Sequence, residues 1–401
     1  MTGTFLIGTR PRPYLLPRLR VTGDLVRFEA CPLRYRLHAV GGWPEAAAAD
    51  ASRLAGTMVH AALDHAGTAC RSIAAGGEGL PVDDEAAGRA VAAARRVIDA
   101  VSPRGARPPD LEAALDEAAE IARRTILELG PHLSPLLSAT EQRLSATRRH
   151  AVESGDESHR MVGRFEVAGV LDAVATGIDP DGTGQISAMV AAAGAHPDTP
   201  IDVVIDYKLA RRPRPGDDGA DEIHATTDAH AFQVAAYACL RDRFGPFRPQ
   251  VGLVIYLRDL ILDEEAMAGV QAEVGGSDDH EDLEPSVAGS VRAWRPGRPA
   301  PALPFSWRLR RATAIVTLDE VALTEATARI DRLATAIKGC TDREAASDPP
   351  RRAWPARPSS LCAGCDVRPT CPAWQDRPAV ASDPRRGQPT REPTWGEPED
   401  A

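Results

Sequence analysis

The segment "IDVVIDYKLA", beginning at Ile201, is apolar at both odd and even positions from Val203 to Ile205 before it turns polar at Asp206. Successive residues of a strand face opposite sides of a sheet, so this run needs cover on both faces. A chain that holds such a strand must build a sheet with helices above and below it, which places the fold in the α/β class. A second run, "PQVGLVIYLRD" from Pro249, has the same character and reads as another buried strand.

The remaining segments supply the layers. Over the first third, "RVTGDLVRFEACPLRYRLHAV" reads as a helix starting near Thr22 or Asp24, and "AAADASRLAGTMVHAALDHAG" as an alanine-rich second one. "VDDEAAGRAVAAARRVIDAV" and "PDLEAALDEAAEIARRTILELG" read as two more. The pattern then changes to strand-like runs, "ATEQRLSAT", "HRMVGRFEVAG" and "GVLDAVATGID". A loop, "PDGTGQISAMVAAAGAHPDTP", leads into the Ile201 strand, and "TTDAHAFQVAAYACLRDRFG" beyond it is helical. After Pro249 come an acidic, Gly-rich insertion, a strand around "SWRLRRATAIVTL", and the amphipathic helix "LDEVALTEATARIDRLATAIKG" with an acidic first turn.

This order predicts one domain over residues 20–375. It divides into a helical part over about 20–135, a sheet core over about 136–318, and a C-terminal helix with a cysteine loop over about 319–375. The stretch 376–401 is rich in Pro, Arg, Asp and Glu and is expected to be disordered. An apolar fraction of 43% is ample for a core, and with aromatics at 4% that core must rest on Val, Leu and Ile. The net charge of −10 counts against an overall basic nucleic-acid binder but leaves room for a basic groove on an acidic body. No run is long and apolar enough for a membrane span, and the start lacks a signal-peptide core, so a cytoplasmic protein without membrane contact is expected.

Two groups of residues carry chemistry. The runs "GVLDAV" and "IDVVIDYKLA" each end in an acid, Asp172 and Asp206, and Lys208 follows Asp206 on the same face of its strand. Two carboxylates suit a hard divalent cation such as Mg²⁺ or Mn²⁺, and a lysine beside them can orient water or meet developing negative charge. Taken alone, an Asp-x-Lys at a strand end is more often a surface ion pair. Gln233 and Tyr237 in "HAFQVAAYACL" share a helix face, where the bland reading is a capping polar group and a core tyrosine. His60 in "GTMVHAALDH" sits among small residues, as a boundary histidine often does. The second group is "LCAGCDVRPTCPAW", with Cys362, Cys365 and Cys371 in one short loop. Seven cysteines in a reducing compartment argue for free thiols or a metal site. On the residues alone, an iron–sulfur cluster and a four-cysteine zinc site stay open. Cys70, Cys239 and Cys340 read as structural thiols, and the arginine groups Arg211, Arg212, Arg214 and Arg308, Arg310, Arg311 as candidate phosphate contacts that are more often solvated faces.

In order, "CPLRYRL", "GTMVH", "GVLDAV", "VVIDYK", "QVAAY" and "CAGCDVRPTC" resemble the RecB-like branch of the PD-(D/E)XK nuclease superfamily, over residues 22–374 with unmatched insertions. The pattern is similar to the iron–sulfur members of that branch, which include CRISPR-adaptation nucleases and AddB-type helicase–nuclease subunits. The resemblance implies a restriction-endonuclease-like mixed central sheet flanked by helices, with an iron–sulfur loop at its C-terminal end. It makes Asp172 and Asp206 metal ligands, with His60 and the Tyr207 carbonyl completing a Mn²⁺ or Mg²⁺ site. Lys208 becomes the catalytic lysine, with Gln233 and Tyr237 as its support. It also makes Cys31 the fourth ligand, with Cys362, Cys365 and Cys371, of a [4Fe–4S] cluster, zinc being the alternative.

The implied activity is a DNA nuclease, an exonuclease acting on single strands or free ends, in repair, recombination or defence. Helicase or other nuclease-complex subunits are possible partners, since the chain has no G-x-x-x-x-G-K-[ST] phosphate loop of its own. The competing readings are a non-catalytic DNA-binding module and a redox-sensing iron–sulfur protein. The second of these leaves Asp172, Asp206 and Lys208 unexplained.

Overall fold

The computed structural model of the chain describes residues 16–43, 47–74, 82–102, 107–149, 163–195, 199–214, 220–276, 283–359, 362 and 365–375. Its centre is a six-stranded mixed sheet. Strand β1 (Arg18–Arg20) opens the described chain, β2 spans Leu137–Arg149, and β3 spans Arg164–Ile178. β4 (Ile201–Lys208), β5 (Pro249–Tyr256) and β6 (Thr313–Thr317) complete it. β3 organises the rest. It pairs antiparallel with β2 from Arg164 to Ala175. Its other edge serves β1, parallel at residues 166–168, and then β4, antiparallel from Ala173 to Ile178. β5 lies parallel to β4, and β6 antiparallel to β5.

The two-sided apolar pattern of β4 is satisfied by two helical layers. Ala173, Val203, Ile205, Leu253 and Ile255 face a core built with α1 (Ala47–Ala74), α2 (Asp84–Val101) and α3 (Pro109–Leu133). Val174, Val204, Val254 and Tyr256 face the opposite core. That core also takes residues from α5 (Ala220–Arg241), from α9 (Glu320–Ala345) and from the N-terminal segment.

Several expectations are corrected. The two strands read from "HRMVGRFEVAG" and "GVLDAVATGID" are one strand, β3, with residues 159–162 outside the described set. Gly169 between them makes no turn: a Cβ there would lie 2.7 Å from Tyr237 Cε1, so its bareness admits the tyrosine ring. The loop before β4 contains helix α4 (Gln185–Ala192), because Ile186, Met189 and Val190 recur at helical spacing and are buried. The Gly-rich insertion folds as α6 (Glu264–Gly276) and α7 (Pro285–Ala293) around Met267, Val270, Val291 and Trp294. The strand expected around "SWRLRRATAIVTL" is helix α8 (Phe305–Ala312) and then β6: Leu309 and Ala312 are buried three residues apart, and β-branched residues dominate only from Thr313.

The N-terminal helix is also broken, at Cys31, whose backbone is extended (φ −163°, ψ 109°). Pro32 follows, and a proline disfavours helical backbone in the residue before it. Helical turns flank the break on both sides, from Val21 to Ala30 and from Pro32 to Val40. The stretch expected to be disordered, 376–401, lies outside the described residues.

Helix α5 is seated on β5 where Gly252 leaves room for the Val234 side chain. A Cβ at Gly252 would overlap Val234 Cγ1, and a β-branched residue in a helix cannot turn aside. Gly252→Ala is therefore expected to cost about 1–3 kcal/mol by overpacking, read as a lower urea midpoint at unchanged slope.

Candidate active site

Three acidic residues fall in one row across three strands. Thr140 pairs with Ala173 and Gln142 with Leu171, which sets Glu141 of β2 level with Asp172 of β3. Ala173 pairs with Ile205, and one step further along that register Asp172 stands level with Asp206 of β4. Glu141 interrupts its ladder with a left-handed backbone (φ 46°), a conformation that costs a non-glycine residue energy.

The two helical layers reach this row from opposite faces. From α1, His60 Nδ1 lies 3.1 Å from Asp172 Oδ1 and 3.6 Å from Glu141 Oε1. His60, Glu141 and Asp172 offer ligand atoms all within 4.8 Å of one another, a grouping able to hold a metal ion. Asp172 Oδ2 accepts the Tyr207 backbone N–H at 2.8 Å, which fixes the carboxylate. The Tyr207 side chain is buried, with its ring edge-on to His60 at 6.5 Å.

From α5, Gln233 joins the other residues. Its amide nitrogen donates to Asp206 Oδ1 at 2.7 Å and to the Tyr237 hydroxyl at 3.2 Å, and its Oε1 accepts from Lys208 Nζ at 2.9 Å. Tyr237 in turn shares a 2.9 Å hydrogen bond with Thr22 of the N-terminal segment. Gln233 is 5% exposed, so it is no surface cap. The structure thus gathers His60, Asp172, Asp206, Tyr207, Lys208, Gln233 and Tyr237 in one place.

The electrostatics follow from burial. Asp206 is 1% exposed, and desolvation pushes its carboxyl up to about 6, helped by Asp172 and opposed by Lys208 and His60. Burial alone would lower the His60 imidazole, but the charge of Asp172 and hydrogen bonds to Asp172 and Glu141 outweigh it and hold it up at about 10. Asp206 Oδ2 is ion-paired with Lys208 Nζ at 2.7 Å. That oxygen, the adjoining Asp172 and the His60–Glu141 pair form a donor set of carboxylates and one imidazole, which suits Mn²⁺ or Mg²⁺.

One residue escaped the sequence reading. Glu141 sits in an otherwise polar strand, and only the β2–β3 register brings it to the site.

Apart from the exposed Arg310, the basic groups are not solvated faces. Arg211 pairs with Asp263 and Glu265, Arg311 with Asp259 and Glu273, and Arg214 with the same two acids. The Arg212 backbone N–H donates to Asp259 Oδ2, and Arg308 pairs with Glu128. These arginines clamp the loop after Lys208 to the insertion and α8.

The cysteines meet at the far end of the N-terminal segment. Cys31, Cys362, Cys365 and Cys371 line one hollow together with Leu33, Val367 and Trp374. Burial pushes the Cys365 thiol up, and the nearby Cys31 and Asp366 add to this. His38 Nε2 meets Asp366 at 3.0 Å, and Arg36 meets Glu344 through two 2.7 Å bonds. Cys340 is buried and Cys239 half-buried away from this hollow.

The family model of the PD-(D/E)XK nuclease superfamily matches residues 23–187 of this chain, from the N-terminal segment through α4. No curated protein matches it. The matched part contains His60, Glu141 and Asp172, and β4 beyond it adds Asp206 and Lys208. The match covers less than half of the chain, and the mixed sheet with helices on both faces is consistent with a restriction-endonuclease-like fold. Among the described residues no helix is long and apolar enough to cross a membrane.

Proposed function

We propose that this chain is a metal-dependent deoxyribonuclease of the RecB-like, iron–sulfur branch. It would hydrolyse phosphodiester bonds in single-stranded DNA or at free ends, in the cytoplasm. The observation that carries the reading is the buried Asp206, ion-paired with Lys208 and with Asp172 and His60 alongside. His60, Asp172 and Asp206 would hold the cation, with the Tyr207 carbonyl as a further ligand and Glu141 at its edge. Divalent-cation chemistry there polarises a phosphodiester and makes hydroxide accessible at neutral pH. Lys208, held by Gln233 Oε1, orients the attacking water and meets charge developing on the phosphate. Gln233 keeps Asp206 and Lys208 in one geometry by bonding both.

The second part of the proposal is a [4Fe–4S] cluster on Cys31, Cys362, Cys365 and Cys371. Support comes from their shared hollow, which joins thiols from both ends of the chain. The four cysteines, all among the described residues, share this hollow with Leu33, Val367 and Trp374 but do not form a group with ligand atoms within 4.8 Å of one another, and metal analysis separates the cluster from zinc.

The test uses anaerobically purified protein with end-labelled single-stranded, duplex and circular DNA in Mn²⁺, Mg²⁺ or EDTA. Cleavage in metal, abolished by EDTA and slower on circles, is expected. Metal and DNA binding without cleavage would favour the non-catalytic module. For Glu141→Gln, Mn²⁺ affinity is expected to fall about tenfold or more, measured by calorimetry, as for groups that orient metal ligands. Unchanged affinity would place Glu141 outside the metal site.

A further inference from the structure

His230 lies outside the set of residues assigned above, yet it adjoins Lys208. It sits three residues before Gln233 on α5, so the two share a face of the helix. Its Nδ1 is 2.8 Å from the Tyr256 hydroxyl. Tyr256 closes β5 and is the direct register partner of Lys208 on β4. His230 is half-buried while Tyr256 is 1% exposed, so the imidazole is the more accessible end of the pair.

We propose that His230 touches the substrate, its Nε2–H donating a hydrogen bond to a non-bridging phosphate oxygen of the bound DNA strand. This deepens the nuclease reading of the same site and rests on it. The tautomer follows from burial. A buried hydroxyl whose proton has no acceptor loses a hydrogen bond, so Tyr256 O–H donates to Nδ1 and leaves the ring proton on Nε2. Among the described residues no hydrogen bond to Nε2 is present. Burial and the Lys208 charge hold the ring down at about 4, so it is neutral. Burial also holds the Tyr256 phenol up at about 12, so it keeps its proton to donate. A neutral donor beside a cationic lysine grips a phosphate without adding a second charge that the lysine would repel.

Two isosteres separate this role from a structural one. Glutamine reaches the Nε2 position with an amide donor but gives up the Tyr256 contact. Asparagine keeps a partner for Tyr256 but withdraws the outward donor. Binding of a fluorescent single-stranded oligonucleotide is measured by anisotropy in EDTA, and cleavage constants in Mn²⁺, with thermal melts as the check on folding. His230→Ala and His230→Asn are expected to weaken binding and raise KM about five- to tenfold, with His230→Gln recovering most of the loss. Recovery by asparagine and not by glutamine would show that the ring serves only Tyr256 and would overturn the inference. So would wild-type binding in all three variants. Wild-type protein that binds DNA but never cleaves it defeats the nuclease reading alone, since the binding series still decides His230. Wild-type protein that binds no DNA defeats both.

Discussion

Lys208→Ala is expected to lower kcat by about 10²- to 10⁴-fold while leaving Mn²⁺ and DNA binding within a few-fold of wild type. The ammonium lies 2.7 Å from Asp206 Oδ2 and 2.9 Å from Gln233 Oε1, so it is held at the carboxylate row and not free to sample solvent. Removing it takes away the one side-chain cation that β4 supplies there. The metal ligands stay in place, because Asp172 is fixed by the Tyr207 N–H and Asp206 by the Gln233 amide, and neither bond involves Lys208. The Lys208 charge lowers the Asp206 pKa, so its loss raises that carboxyl further. Metal affinity should therefore fall somewhat at acidic pH and recover as pH rises above the Asp206 range. A kcat loss that alkaline pH or excess Mn²⁺ restores would mean that Lys208 acts only by tuning Asp206. A loss that neither restores assigns it to the reaction itself.

Much of this site could be read in the chain because its parts obey local periodicities. Asp206 and Lys208 are two apart on a strand, Gln233 and Tyr237 four apart on a helix, and each spacing fixes a shared face. Adjacency between strands is another matter. That Asp172 stands level with Asp206, and Glu141 level with Asp172, depends on two antiparallel registers that no local pattern encodes. A slip of one residue would put either acid on the other face. The fold shows the same division. The buried strands β4 and β5 announced themselves by two-sided apolar runs, whereas α4, α6 and α7 were hidden in alanine- and glycine-rich stretches. Their few buried residues, such as Ile186 and Met267, carry the helical signal there. The arginines misled for a related reason. Their partners Asp259 and Glu273 lie some fifty residues away in sequence, and only the folded insertion brings them together.

If the cysteine hollow holds the proposed cluster, Cys31→Ser is expected to abolish iron incorporation and the visible absorbance that accompanies it, and to loosen both chain ends without unfolding the sheet. The ends have a packing interface of their own. Phe28, Tyr35 and Trp354 meet with ring centroids 5.8 to 6.1 Å apart, and Arg329 binds Glu29 on the neighbouring turn. Such contacts contribute only about 0.5–1.5 kcal/mol per aromatic pair, far below what four metal–thiolate bonds would supply. Limited proteolysis should then cut first within residues 16–43 and 354–375, while fragments containing β3 to β5 persist. The effect should also reach the carboxylate row. Thr22 belongs to the same N-terminal segment as Cys31, and the chain Thr22–Tyr237–Gln233–Asp206 runs through bonds of 2.9, 3.2 and 2.7 Å. When that segment loosens, Tyr237 loses its partner and Gln233 its support, so Asp206 and Lys208 lose their common anchor. Cleavage should fall with iron content, and Thr22→Val should reproduce a smaller part of that fall with the iron retained. Full activity in iron-free protein would show that the thiols staple the ends without supporting the site. Equal activity in protein that binds zinc in place of iron would show that the staple matters and its metal does not.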